Sequence, residues 1–112
     1  MLFKWQGALG AVALALCSAP SQADWVTGLT LIQLGSGDAG GEYVWFQTTT
    51  FPPSNPANCG NNDIYVLRTL PKNALAILLA AHVSGKPIRA YVSPTVCDAV
   101  TGRPLVTEVG IQ

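Results

Sequence analysis

One stretch of this chain repeats its apolar residues at helical spacing, and every other ordered run is β-rich. Asn73–Ser84 (NALAILLAAHVS) places Leu75, Leu78, Leu79 and His82 on one stripe, the spacing of a helix face. Pro71 suits a helix approach, Asn73 is the expected N-cap, and Gly85 fits the left-handed position after the last turn. Pro87 then prevents continuation. The opposite side of this helix is not polar, carrying Ala76, Ile77, Ala80 and Ser84. A helix without a charged face is usually covered on both sides. The domain core is the expected cover on one side and a neighbouring subunit on the other.

The β-rich runs set the rest of the fold. In Trp25–Leu34 (WVTGLTLIQL), Leu29 and Leu31 alternate and then the phase slips to Ile32 and Leu34, which predicts a bulge or a strand bent around a barrel. Gly35–Gly41 (GSGDAGG) is a turn. Glu42–Thr50 (EYVWFQTTT) is a second strand, pairing with the first as a hairpin. Tyr43 and Trp45 lie on one of its faces, Val44 and Phe46 on the other. One face meets the core; the other needs a separate cover or binds something. Phe51–Asn62 (FPPSNPANCGNN) is a loop rich in proline and asparagine. Asp63–Arg68, Pro87–Ser93 and Arg103–Ile111 are the remaining strands, with Cys97 in the turn-rich segment Pro94–Gly102. The expected fold is therefore mainly β (β+α): a five-stranded antiparallel barrel of OB type with one helix between strands 3 and 4. A small sandwich carrying one helix is the alternative.

The first residues bear on location. Met1–Lys4 is a short basic start, Leu9–Cys17 (LGAVALALC) an apolar run, and Ser21-Gln22-Ala23 puts small residues at the −3 and −1 positions of a cleavage site. Residues 1–23 thus read as a secretory signal cut before Asp24, leaving residues 24–112 as a single domain, secreted or periplasmic. The apolar run is too short to span a bilayer, and no second one follows. Cys17 leaves with the leader, so Cys59 and Cys97 remain in an exported chain and are expected to pair. That bond closes a loop of about 38 residues, worth on the order of 4 kcal/mol in the chain-entropy model. The alternative is two free thiols.

Composition narrows the partners. Beyond the leader, Arg68, Lys72, Lys86, Arg89 and Arg103 face Asp24, Asp38, Glu42, Asp63, Asp98 and Glu108, a net charge of −1. There is no basic patch of the density nucleic acid requires. Charged residues are 11% of the chain against 49% hydrophobic ones, so an oligomer or a partner is expected to hide part of the surface. No metal and no cofactor is expected, with one histidine and no clustered ligands. No catalytic residue is assigned. His82 is the only histidine and reads as partly buried against the core. No Gly-x-Ser-x-Gly elbow occurs, and the acids, scattered over loops and strand ends, read as mostly solvated groups. Gly35–Gly41 joins two strands and lacks the helix a phosphate loop needs.

The aromatic residues supply a binding reading. Trp25, Tyr43, Trp45, Tyr65 and Tyr91 all fall on strands. Exposed rings stack on sugar faces, and Thr27, Gln47 and Thr48 supply groups for hydroxyls. Filling the barrel or an interface is the competing role of each ring. The candidate ligand-binding set is Thr27, Tyr43, Trp45 and Gln47.

Three segments together show a resemblance. The start Asp24-Trp25, the strand Gly28–Leu34 and the passage Ala80–Val92 (AAHVSGKPIRAYV) resemble the B subunits of subtilase cytotoxin and pertussis-like AB5 toxins. Those chains also begin after the leader with an acid-Trp pair. Their helix also ends in a small-residue–Gly–x–Pro–hydrophobic–Arg–x–Tyr-like passage, here Ser84–Tyr91. The resemblance implies an OB-fold, a ring of five subunits with helices facing a central pore, and recognition of sialylated glycans. Thr27 stands at a sugar-contacting hydroxyl of that family, whereas Ala80, Ala81 and His82 replace its aromatic residues near the helix end. The expectation is a non-catalytic binding module with glycan binding as its leading role, with a homo-oligomer (a pentamer if toxin-like) and a glycan or exported protein as partners. The alternative is a periplasmic structural or protein-interaction module.

Overall fold

The phase slip at Leu31–Ile32 coincides with a register shift between Leu31 and Gln33, and a break at Thr30, which the sequence reading does not anticipate, divides the first β-rich run into two strands at opposite edges of one sheet. The computed structural model describes residues 25–112; the expected leader, Cys17 and Asp24 lie outside the described residues. The elements are β1 (Trp25–Leu29), β2 (Leu31–Gly37), β3 (Tyr43–Thr48), β4 (Tyr65–Leu67), α1 (Pro71–Ser84), β5 (Ile88–Cys97) and β6 (Pro104–Ile111). The protein is mainly β with one helix among the described residues. Its six strands form one sheet in the order β1-β5-β6-β4-β3-β2.

This corrects the expected five-stranded antiparallel barrel in three respects. The strands number six, because the chain leaves the β5 ladder at Leu29 and joins β3 from Leu31. Gly28, at φ 68°, sits where β1 has one residue more than β5 between Val26 and Leu29, and only glycine takes that backbone without strain. A second register shift follows between Leu31 and Gln33. The sheet is mixed, because β4 and β6 run parallel; α1 and β5 between them form the long crossover a parallel pair needs. The ladder is not closed, since β1 and β2 are its edges. Thr30 alone separates those two edges in sequence, so the sheet curls, and the Thr49 N–H donates to the Thr30 carbonyl at 3.0 Å.

The core fills the inside of the curl. Along β3, Val44, Phe46 and Thr48 are buried while Tyr43, Trp45 and Gln47 are half-buried. Phe46 stacks on Tyr65 with ring centroids 5.1 Å apart. From the helix come Ala74, Leu78 and Ala81. The helix is therefore rotated from the expected stripe: Leu78 is buried and Leu75 half-buried, but Leu79 is 46% exposed and His82 is exposed. Two alanines let α1 approach the sheet more closely than a row of leucines allows.

The helix also starts earlier than the sequence suggested. Pro71 occupies its first turn, and Leu70 is the N-cap, left-handed at φ 47° and with no side-chain cap bond. Asn73 lies inside the first turn and does not cap. Gly85 ends the helix as expected, at φ 69°, and the Lys86 N–H donates to the Ala81 carbonyl at 3.1 Å. No helix of the described residues is long and apolar enough to cross a membrane.

Cys59 and Cys97 are bonded, with Cα atoms 5.7 Å apart. Cys97 ends β5 rather than lying in a loop. Asn55 fixes the other half of the bridge: its Oδ1 accepts from the Cys59 N–H at 2.7 Å, and its Nδ2 donates to the Cys59 carbonyl at 3.0 Å.

Candidate functional site

Strict alternation along β3 divides its side chains between core and outer face. Tyr43, Trp45 and Gln47 share the outer face, half-buried. The glycines of β2 make this arrangement workable. Gly35 pairs with Trp45 and Gly37 with Tyr43. A Cβ at Gly37 would stand 2.5 Å from the Tyr43 ring, and one at Gly35 would collide with the Trp45 indole. Each ring therefore lies over the backbone of the neighbouring strand, and a side chain on that strand would push it off. The glycines assigned to a turn from the sequence thus include two that serve the strand.

Arg68 extends the face. Its guanidinium carbon lies 4.6 Å from the Tyr43 ring centroid, within cation–π range. Asp98 fixes it there, accepting from Arg68 Nε and from Nη2 at 3.2 Å. Asp98 is buried, an exception among acids that the sequence reads as mostly solvated. Its carboxyl is held at about 2, chiefly by the Arg68 hydrogen bond and then by Thr101, against the opposing effect of burial. A second pair, Arg103 with Asp63 at 2.7 Å, is more open and lowers the Asp63 carboxyl by the same cause.

Three of the four candidate ligand residues are thus together. Thr27 is apart: it is exposed on β1, which pairs with β5. Tyr65 fills the core, where burial raises its hydroxyl above the ordinary value and Oη accepts from the Ser54 N–H at 2.7 Å. Trp25 is 38% exposed and meets Tyr91 edge-on, centroids 5.2 Å apart.

A cleft of about 520 Å³, bordered by Tyr43, opens between the β2–β3 hairpin and the first turns of α1. Val44 and Leu75 line it, with Ser36, Asp38, Glu42 and Lys72. The volume suits a small ligand. Among the described residues no group of three or more metal-ligating side chains occurs. No protein-family model matches the chain, and no curated protein is significantly similar to it.

Proposed function

We propose that this chain is an exported, non-catalytic glycan-binding module, an OB-type barrel similar to AB5-toxin B subunits that works as a homo-oligomer. The outer face of β3 carries this reading: Tyr43 and Trp45 are laid over Gly37 and Gly35, with Gln47 beside them on the same face. Flat rings next to an amide match a sugar, which offers an apolar C–H face and a rim of hydroxyls. The barrel reading treats β1 and β2 as one bent strand interrupted at Thr30, which reduces six strands to five. Export is supported by the leader-like start and by the Cys59–Cys97 bond, since such bonds persist in oxidising compartments.

The helix supports the oligomer. Ala76, Leu79, Ala80 and Val83 recur along one side of α1 and are exposed, with Val83 at 85%. An apolar helix side of this kind is stable in water when a second subunit covers it. The resemblance makes that assembly a ring of five.

Glycan-array binding of the purified protein tests the function, with Trp45→Ala as the control. Binding by the wild type and a loss of at least about tenfold in the variant are expected for an anchor ring. Native mass spectrometry tests assembly. A monomer that binds no glycan would remove both claims.

A further inference from the structure

A second cleft lies between α1 and β6 and holds about 340 Å³. Ala74 and Val109 belong to its apolar lining, and Trp25 and Arg89 also border it. None of Tyr43, Trp45 and Gln47 borders it, so this cleft is separate from the β3 face.

Three observations set its chemistry. Trp25 is held by its neighbours and left partly open. Its ring meets Tyr91 at an interplanar angle of 77°, the Arg89 guanidinium carbon lies 4.9 Å from its centroid, and the residue remains 38% exposed. A ring held this way loses little freedom when a ligand arrives. The polar residues bordering the cleft include Asn73, Thr107 and Glu108. An amide and a hydroxyl both donate and accept, and a carboxylate accepts. That mixture matches hydroxyl groups, and Arg89 and Glu108 border the cleft with one charge of each sign, which suits a ligand without net charge. Finally, Leu70 borders the cleft at φ 47° and 68% exposed. A leucine held in the left-handed region is strained, and such strain gathers at binding sites.

The geometry points to a second saccharide subsite in the α1–β6 cleft, taking a neutral, hydroxyl-rich ring against Trp25, with Asn73, Thr107 and Glu108 bonding its hydroxyls. This rests on the glycan reading of the β3 face and adds a separate subsite to it.

Nuclear magnetic resonance of the purified protein tests it, with the indole N–H signals of Trp25 and Trp45 assigned through Trp25→Phe and Trp45→Phe. Lactose, maltose and chitobiose are the probes. The expected result is saturable shifts of both indoles with at least one of them, and of the Asn73, Thr107 and Glu108 amides. Thr107→Val keeps the side-chain shape and should weaken the Trp25 response about fivefold while sparing the Trp45 response. Shifts confined to Trp45 overturn the second subsite and leave the β3 reading standing. Shifts confined to Trp25 support the cleft and overturn the β3 face. No shift with any of the three sugars overturns both.

Discussion

The guanidinium of Arg68 holds the buried carboxylate of Asp98 at two points. Arg68 Nη1 also donates to the Gly41 carbonyl at 2.9 Å, and Nη2 to the Ala39 carbonyl at 3.0 Å. Asp98 in turn accepts from the Thr101 N–H at 2.9 Å and its hydroxyl at 2.7 Å. One ion pair thus ties the β2–β3 turn, the end of β4 and the β5–β6 turn together, and places a cation on Tyr43.

Acid should weaken the fold through this pair. The folded Asp98 carboxyl titrates at about 2, against an ordinary value of 3.8. A depressed carboxyl stabilises the fold above its unfolded value, and that contribution is lost as the pH falls from about 4 to about 2. The loss is on the order of 2 kcal/mol. Urea midpoints followed downward in pH should fall more steeply for the wild type than for Asp98→Asn; parallel curves would refute the assignment.

Removing the cation alone should be worse than removing the pair. Arg68→Ala leaves Asp98 buried without its partner, at a cost of about 3 kcal/mol. Arg68→Met with Asp98→Leu should recover much of that loss. Urea denaturation at neutral pH measures all three proteins.

A methyl group under either ring should disturb the candidate face. Gly35→Ala and Gly37→Ala place a Cβ where the Trp45 and Tyr43 rings lie. Each is expected to cost about 1–3 kcal/mol and to change the near-ultraviolet circular dichroism. Gly60→Ala, with nothing within 4 Å of the new atom, should leave both unchanged.

Relief of the helix start should have the opposite sign. Leu70→Gly removes the left-handed penalty at φ 47° and should raise stability by up to about 1 kcal/mol. The thermal midpoint reads this directly, and a lower midpoint would show that the exposed leucine packs better than its surroundings indicate.

Loss of the Cys59–Cys97 bond should cost the most. The linked residues are 38 apart in sequence, so Cys59→Ser with Cys97→Ser should destabilise the fold by about 4 kcal/mol in the entropic account. Intact protein under non-reducing conditions should be two hydrogens lighter than the reduced chain.

The features legible in the sequence are those decided by near neighbours. The β3 alternation, the stop at Gly85 and the slip after Leu31 each depend on a few adjacent residues. The helix phase is hidden in the sequence because α1 is apolar nearly all round. Leucines then outweigh the alanines that actually face the sheet, and only the packing of Ala74 and Ala81 fixes the rotation. The Arg68–Asp98 pair joins residues 30 apart, and a lone aspartate in a turn carries no local sign of burial. Thr27 and Gln47 sit on strands with different partners, which residue type cannot reveal. The glycines at 35 and 37 looked like turn residues because their strand role depends on rings across the ladder.

The placement of β1 has a consequence for how the chain acquires its structure. β2 and β3 are joined by a short turn and can pair as soon as both have emerged during synthesis. β1 precedes them yet needs β5, whose pairing residues run from Ile88 to Tyr91. Trp25–Leu29 must therefore wait, with its backbone groups unpaired, until nearly the whole domain has been made. This long-range closure slows folding and leaves a sticky edge on the incomplete chain. Shielding of the N-terminal strand during that interval would matter more to yield than the final stability of the protein.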